Sequence, residues 1–345
     1  MKELLKKLCD AHGASGYEDN VAEIIKNELS KYSDEVVKDR LGNVIAKKGS
    51  GNPVIMIAAH MDEIGFVVKH IDKKGYIWFI TIGGFYEPAI FGTRIVIHTE
   101  KGNVIGVVGS RPPHLMEEEE RKRPIKKKEL YIDVGAKNKE DAEALGIKIG
   151  DSITFDQEMK FLPNGFVTGK AIDDRAGCVA LIELMKHLDE FKGTVYAVAT
   201  VQEEVGLKGA KVSAFKIKPE VGIVLDTGLA GGCPGIKEQE TDAKSGKGPV
   251  ITYIEAGGRG LIADPLLNKW LIKVAEENNI PVQLEVMDSG MTDGAIMNIT
   301  GEGIPTTSIS IPSKNIHSPV EICNIRDIEN AVKLVVYAIK KGVPF

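Results

Sequence analysis

Cysteine is scarce: the four in the chain, Cys9, Cys178, Cys233 and Cys323, are scattered and form no C-x-x-C pair. That excludes a disulfide framework or a cysteine-built zinc site and fits the reduced thiols of a cytoplasmic protein. Long apolar runs are absent as well. The longest are strand-sized, so no membrane span is expected, and no apolar h-region follows the charged N-terminal stretch as a secretory signal requires. An excess of one charge is also missing. Lys and Arg total 44 against 49 Asp and Glu, a formal net charge of -5. A dedicated nucleic-acid binder would normally carry a basic surplus, so none is expected as a partner.

What is present is the composition of a folded globular chain of 345 residues, 43% hydrophobic and 27% charged, long enough for a large core. Two amphipathic helices are predicted within residues 1–31, from Leu4, Leu5 and Leu8 and then Val21, Ile24, Ile25 and Leu29. VIAKK (44–48) and VIMIAA (54–59) read as strands. The second is apolar at every position, as a strand buried on both faces must be. Helices are predicted over 176–188, 266–277 and 326–340, with a short one after Gly206, and strands over 194–201, 221–225 and 305–311. This alternation points to an α/β fold: a central mixed, mostly parallel sheet flanked by helices. Residues 66–160 differ, with short strands separated by glycine turns. They predict a small β-barrel inserted into an α/β domain made of 1–65 and 161–345. Inside it, EEEERKRPIKKK (117–128) reads as a solvated loop.

Open α/β sheets gather ligands at the carboxyl ends of their strands. VIMIAA runs directly into His60, Met61 and Asp62; TVYAVATVQ into Glu203 and Glu204; VGIVL into Asp226. The strand at 305–311 leads to His317, and GKAIDDRAGC sets Asp173 and Asp174 before a helix. Taken singly, each is more often a turn residue, a cap or a surface charge. Five separate element ends carrying metal-ligand residue types on one rim make that reading poor. Two divalent ions sharing one carboxylate and leaving a position open for substrate would need such a set. Mixed imidazole and carboxylate ligands suit zinc, cobalt or manganese better than calcium. Of Glu203 and Glu204, one can bind metal while the other serves as general base.

Six motifs, in order, resemble the tetrahedral (TET) aminopeptidase family, which includes leucyl, glutamyl, lysyl and deblocking aminopeptidases, with some relatives labelled endoglucanase. They are AAHMDEIG (58–65), GKAIDDRAG (169–177), ATVQEEVGLKGA (199–210), VLDTG (224–228), MTDGA (291–295) and IHSPVE (316–321). The resemblance implies a metallo-aminopeptidase holding two divalent ions and releasing the first residue of short peptides. His60, Asp173 and Asp226 would hold one ion, with Asp173 bridging to a second held by Glu204 and His317. Glu203 would be the general base for a metal-activated water, and Asp62 would orient the His60 imidazole. A cis peptide would follow Asp173. The inserted barrel would be PDZ-like and dimerising, within a tetrahedral dodecamer. EAGGRGLIADP (255–265), with Ala263-Asp264 before Pro265, and VMDSGMTDGA (286–295), with Asp288 and Met291, depart from the family pattern at the pocket wall. They leave the substrate-binding residues and the preferred amino-terminal residue open. The alternatives are a related metal-dependent deacylase or carboxypeptidase and a non-catalytic peptide-binding scaffold.

Overall fold

The computed structural model describes residues 1–345. Its centre is an eight-stranded sheet in the order Glu35–Lys38, Val44–Ser50, Gly193–Thr200, Val54–His60, Val221–Leu229, Thr306–Ser313, Val250–Ile254 and Gln283–Val286. The four middle strands are mutually parallel. Val44–Ser50 and Val250–Ile254 flank them antiparallel. The α/β sheet expected from the sequence is therefore a parallel centre with mixed flanks.

The all-apolar strand Val54–His60 shows why the sheet is layered. Ile55, Ile57 and Ala59 point into the main core, whereas Met56 and Ala58 point into a smaller one on the opposite face. A strand alternates its side chains, so apolar residues at every position mean two buried faces. The main core packs helices Lys2–Asp10, Asp19–Leu29, Ile172–His187, Pro265–Glu277 and Ile325–Lys341 against the sheet. Ile172–His187 is buried from Ile172 to Met185, and its first turn is not helical at Asp173 and Asp174, whose peptide bond is cis. No helix is long and apolar enough to cross a membrane.

Strands Gly65–Ile71, Ile77–Ile82, Tyr131–Asp133, Gly102–Gly109, Arg94–Thr99 and Ser152–Phe155 close in that order into an antiparallel barrel. It has its own core, in which Phe66 stacks on Phe85 at 4.9 Å and meets Phe155 edge-on at 5.3 Å. Gly106 faces inward where a Cβ would stand 2.7 Å from Ile132, so no larger residue fits there without displacing its neighbours. The charge run expected to be a loop is exposed but contains a short helix, Glu118–Lys122. Acidic residues at its start, basic ones at its end and a reciprocal Glu117/Glu120 cap explain the turn.

Three strands outside the main sheet, Lys160–Phe161, Phe166–Gly169 and Glu321–Asn324, bring Gly169 opposite Glu321. This sets the segment entering Asp173 beside the one leaving His317.

Candidate metal centre

His60 is the last residue of its strand, and the parallel register places Thr200 beside it. Glu203 and Glu204 follow Thr200, so they arrive over the same strand ends. Asp226 lies near the end of the neighbouring parallel strand, in register with Ser310.

The structure brings all the sequence-predicted ligand residues together. His60 Nε2 stands 3.2 Å from Asp173 Oδ1, 3.7 Å from Asp226 Oδ1 and 4.0 Å from Glu203 Oε2. His317 Nε2 lies 3.5 Å from Asp173 Oδ2 and 3.4 Å from Glu204 Oε1. Asp173 thus turns one oxygen to each imidazole. Two groups have ligand atoms close enough together to hold an ion, His60 with Asp174 and Asp226, and His60 with Asp173 and Glu204. Asp174 differs from Asp173 in being closed off. It is fully buried, one oxygen accepts the Gly177 N–H at 2.8 Å, and it does not line the cleft. Asp173 does, in a cleft of about 500 Å³ that also takes in Glu203, Glu204, Asp226, His60 and His317.

The electrostatics ask for a cation. No lysine or arginine pairs with Asp173, Glu203, Glu204 or Asp226; their ion-pair partners are the two histidines. Burial, then the neighbouring carboxylates, push Glu203 and Asp226 well above the usual carboxylate range. Burial opposes the charged form of His317, yet the bonds to Asp173 and Glu204 outweigh it and lift the imidazole to about 11. Asp174 Oδ2 is buried without a hydrogen-bond partner. Imidazoles and crowded carboxylates with no fixed cation among them are the donor set a divalent ion accepts, so the residues fit the metal.

Several residues that hold this cluster were not singled out from the sequence. Glu321 is buried and accepts the Asp173 N–H at 2.8 Å with one oxygen and the His317 N–H at 3.0 Å with the other. Its signal was available, four residues after His317 in the IHSPVE motif. His317 has φ 60°, a left-handed backbone that such a tie helps to hold. Glu63 accepts from Lys170 Nζ at 2.8 Å and from Arg175 Nη2 at 3.4 Å, a buried ion cluster on either side of Asp173. Asp293 accepts from Thr200 Oγ1 at 2.5 Å.

Asp62 stands with its carboxylate 3.6 Å and its backbone carbonyl 3.1 Å from His60 Nδ1. The shorter bonds of that carboxylate come from Ser15 Oγ at 2.6 Å and from the backbone N–H groups of Glu203 and Glu204 at 3.0 and 3.2 Å. Met291 lines the cleft, whereas Asp288 is exposed and does not. Asp264 caps helix Pro265–Glu277 rather than joining the cleft.

A family model described as M42 glutamyl aminopeptidase matches residues 42–334. The lysyl aminopeptidase of Pyrococcus furiosus is 38% identical over 339 residues, 96% of this chain and 94% of that protein. A TET aminopeptidase from the marine sediment archaeon Thaumarchaeota archaeon SCGC AB-539-E09 superimposes with a TM-score of 0.96 at 40% identity, covering 99% of this chain and 96% of its own. The TET1 peptidase of Pyrococcus horikoshii, described as assembling into a tetrahedron or a large octahedral shell, gives 0.88 at 36% identity with 98% of each chain covered. With imidazoles and carboxylates gathered in one cleft and relatives of this kind along nearly its whole length, the chain belongs to the M42 peptidase family and is an aminopeptidase.

Proposed function

We propose that the cluster holds two divalent cations, zinc or cobalt with manganese as a third candidate, and that the enzyme removes the amino-terminal residue of short peptides. His60, Asp173 and Asp226 hold one cation; Asp173, Glu204 and His317 hold the other. The observation that carries this reading is Asp173, whose two oxygens face different imidazoles. Once bound, the cations supply Lewis acidity to polarise the scissile carbonyl and acidify a water.

The chain's own residues do the rest. Glu203, with its carboxylate in the cleft and its backbone N–H fixed by Asp62, takes the proton of the attacking water and returns it to the leaving amine. Leu229, Met287, Met291 and Ile316 give the cleft apolar walls around the charged floor and exclude water from the bound end of a peptide.

We further infer that residues 66–160 form a PDZ-like unit set into a catalytic domain of 1–65 and 161–345. Through it, copies would pair and build a homo-oligomer, a dodecamer on the pattern of the TET relatives. Four free thiols accord with a cytoplasmic setting.

Metal-stripped protein reconstituted with zinc, cobalt or manganese, assayed on a panel of aminoacyl chromogenic substrates, tests the reading. Activity should return with metal, and Glu203→Gln should keep metal and fold while losing turnover by a factor of about 10² or more. Unchanged hydrolysis in that variant refutes the role of Glu203. Activity that survives chelation refutes the metals. Cleavage of acylated or carboxy-terminal substrates in place of free amino-terminal ones points to a deacylase or carboxypeptidase.

A further inference from the structure

Four consecutive backbone N–H groups, those of residues 201–204, all point away from their own segment to side-chain oxygens elsewhere. Val201 donates to Asn43 Oδ1 at 3.0 Å, Gln202 to Glu18 Oε1 at 3.1 Å, and Glu203 and Glu204 to the two oxygens of Asp62. Gln202 has φ 56°, a left-handed conformation that a non-glycine residue adopts at a cost unless something fixes it. The N–H groups of the turn carrying both glutamates are therefore held by outside side chains, the Asn43 amide and the Glu18 and Asp62 carboxylates, while the carbonyls of residues 201–203 accept from N–H groups of residues 206–209 within the turn.

Two of the holding groups come from one short stretch, residues 15–18. Ser15 Oγ donates to Asp62 Oδ2 at 2.6 Å, locking the carboxylate that receives Glu203 and Glu204. Glu18 precedes helix Asp19–Leu29, where a carboxylate would ordinarily cap the helix, but its side chain makes no capping bond. Instead it accepts from Gly16 N–H at 2.8 Å, which fixes it in its own turn, and from Gln202. Between them Tyr17 donates its hydroxyl to Gly150 O on the barrel at 2.7 Å.

The geometry points to Ser15 and Glu18 as positioning residues, a strap that sets where the Glu203 and Glu204 carboxylates stand. This rests on the roles proposed above for those two glutamates. The strap touches neither substrate nor metal; it acts through three peptide N–H groups. Displacing a reacting carboxylate by about 1 Å lowers a rate by on the order of 10²-fold.

The test pairs kinetics with amide exchange on the full chain. Ser15→Ala and Glu18→Ala should each lower kcat by about tenfold to a hundredfold with KM nearly unchanged. In both, exchange should speed up in a peptide spanning residues 200–207 while the sheet and helices keep their protection. Glu18→Gln, whose amide oxygen still accepts from Gln202, should recover most of the loss. Parental kcat in both alanine variants overturns the proposal, as does exchange that is unaltered or raised across the whole chain. Equal losses in Glu18→Ala and Glu18→Gln also overturn it, since the acceptor would then be irrelevant. If the parent protein, loaded with metal, hydrolyses no amino-terminal substrate, the aminopeptidase reading falls. The exchange at 200–207 still decides whether the strap holds the turn.

Discussion

Glu18 is nearly buried and has no lysine, arginine or histidine as an ion-pair partner, and burial pushes its carboxyl up to about 7 from 4.5. The folded chain therefore keeps a proton on Glu18 between about 4.5 and 7 that the unfolded chain releases. Stability from this group rises as pH falls through that window, and above it the buried charge is a full penalty. Glu18→Gln removes the titration. Its thermal midpoint should exceed the parent's at pH 8, and the gap should narrow as pH falls through the window and close by about pH 4, below the unfolded value of 4.5, where folded and unfolded Glu18 are both protonated. A gap that stays constant between those pH values would show that Glu18 does not titrate in this range. The same residue shows where sequence reading stops. The positions of His60, Asp62, Glu203, Glu204, Asp226 and His317 were legible because each follows a predicted strand, and that of Asp173 because it stands just before an apolar helix, both local patterns. Ser15, Glu18 and Glu321 act on Asp62, Gln202 and Asp173 through bonds spanning 47, 184 and 148 positions of chain, and of the three only Glu321 carries a local cue, its place four residues after His317.

Elements divide in the same way. The buried strands Val54–His60, Gly193–Thr200 and Val221–Leu229 were predictable because apolar residues fill most positions on both faces, whereas Thr306–Ser313 is buried throughout although Thr and Ser fill five of its eight positions. Glu35–Lys38 and Gln283–Val286 lie at the sheet edges with no fully buried position, so hydrophobicity gave no signal for either. Ala263-Asp264-Pro265, conspicuous in the sequence as part of a pocket wall, is a helix start. Asp264 accepts the N–H groups of Leu266 and Leu267 at 2.8 and 3.2 Å, and Pro265 takes the first helical position, where no N–H is needed. Asp264→Ala should destabilise the protein by about 1 kcal/mol. Urea titration should show a lower midpoint at unchanged slope, and kcat should be unaltered. A large loss of kcat instead would place Asp264 in the working cleft.

At the scale of the whole molecule, the barrel has a core of its own, distinct from the two that sandwich the sheet. A unit with a separate core can take up a second task without disturbing the first. Its strand Gly102–Gly109 turns Gly106 and Val108 inward and leaves Ile105 and Val107 outward, 52% and 44% exposed. Ile80, on another barrel strand, is 44% exposed. Large apolar side chains exposed on two strands of the barrel are what a covered surface carries, and a second copy would cover them if assembly follows the TET relatives. A lysine at such a contact would have to be buried without a partner, which weakens association strongly while costing the isolated chain little. The double variant Ile105→Lys, Val107→Lys should therefore elute as a smaller species than the parent in light-scattering chromatography. Its chelatable metal content should be kept, because the cluster at His60 and Asp173 lies outside the barrel. An unchanged particle mass would remove this strand from the interface, and a monomeric parent would remove the assembly itself.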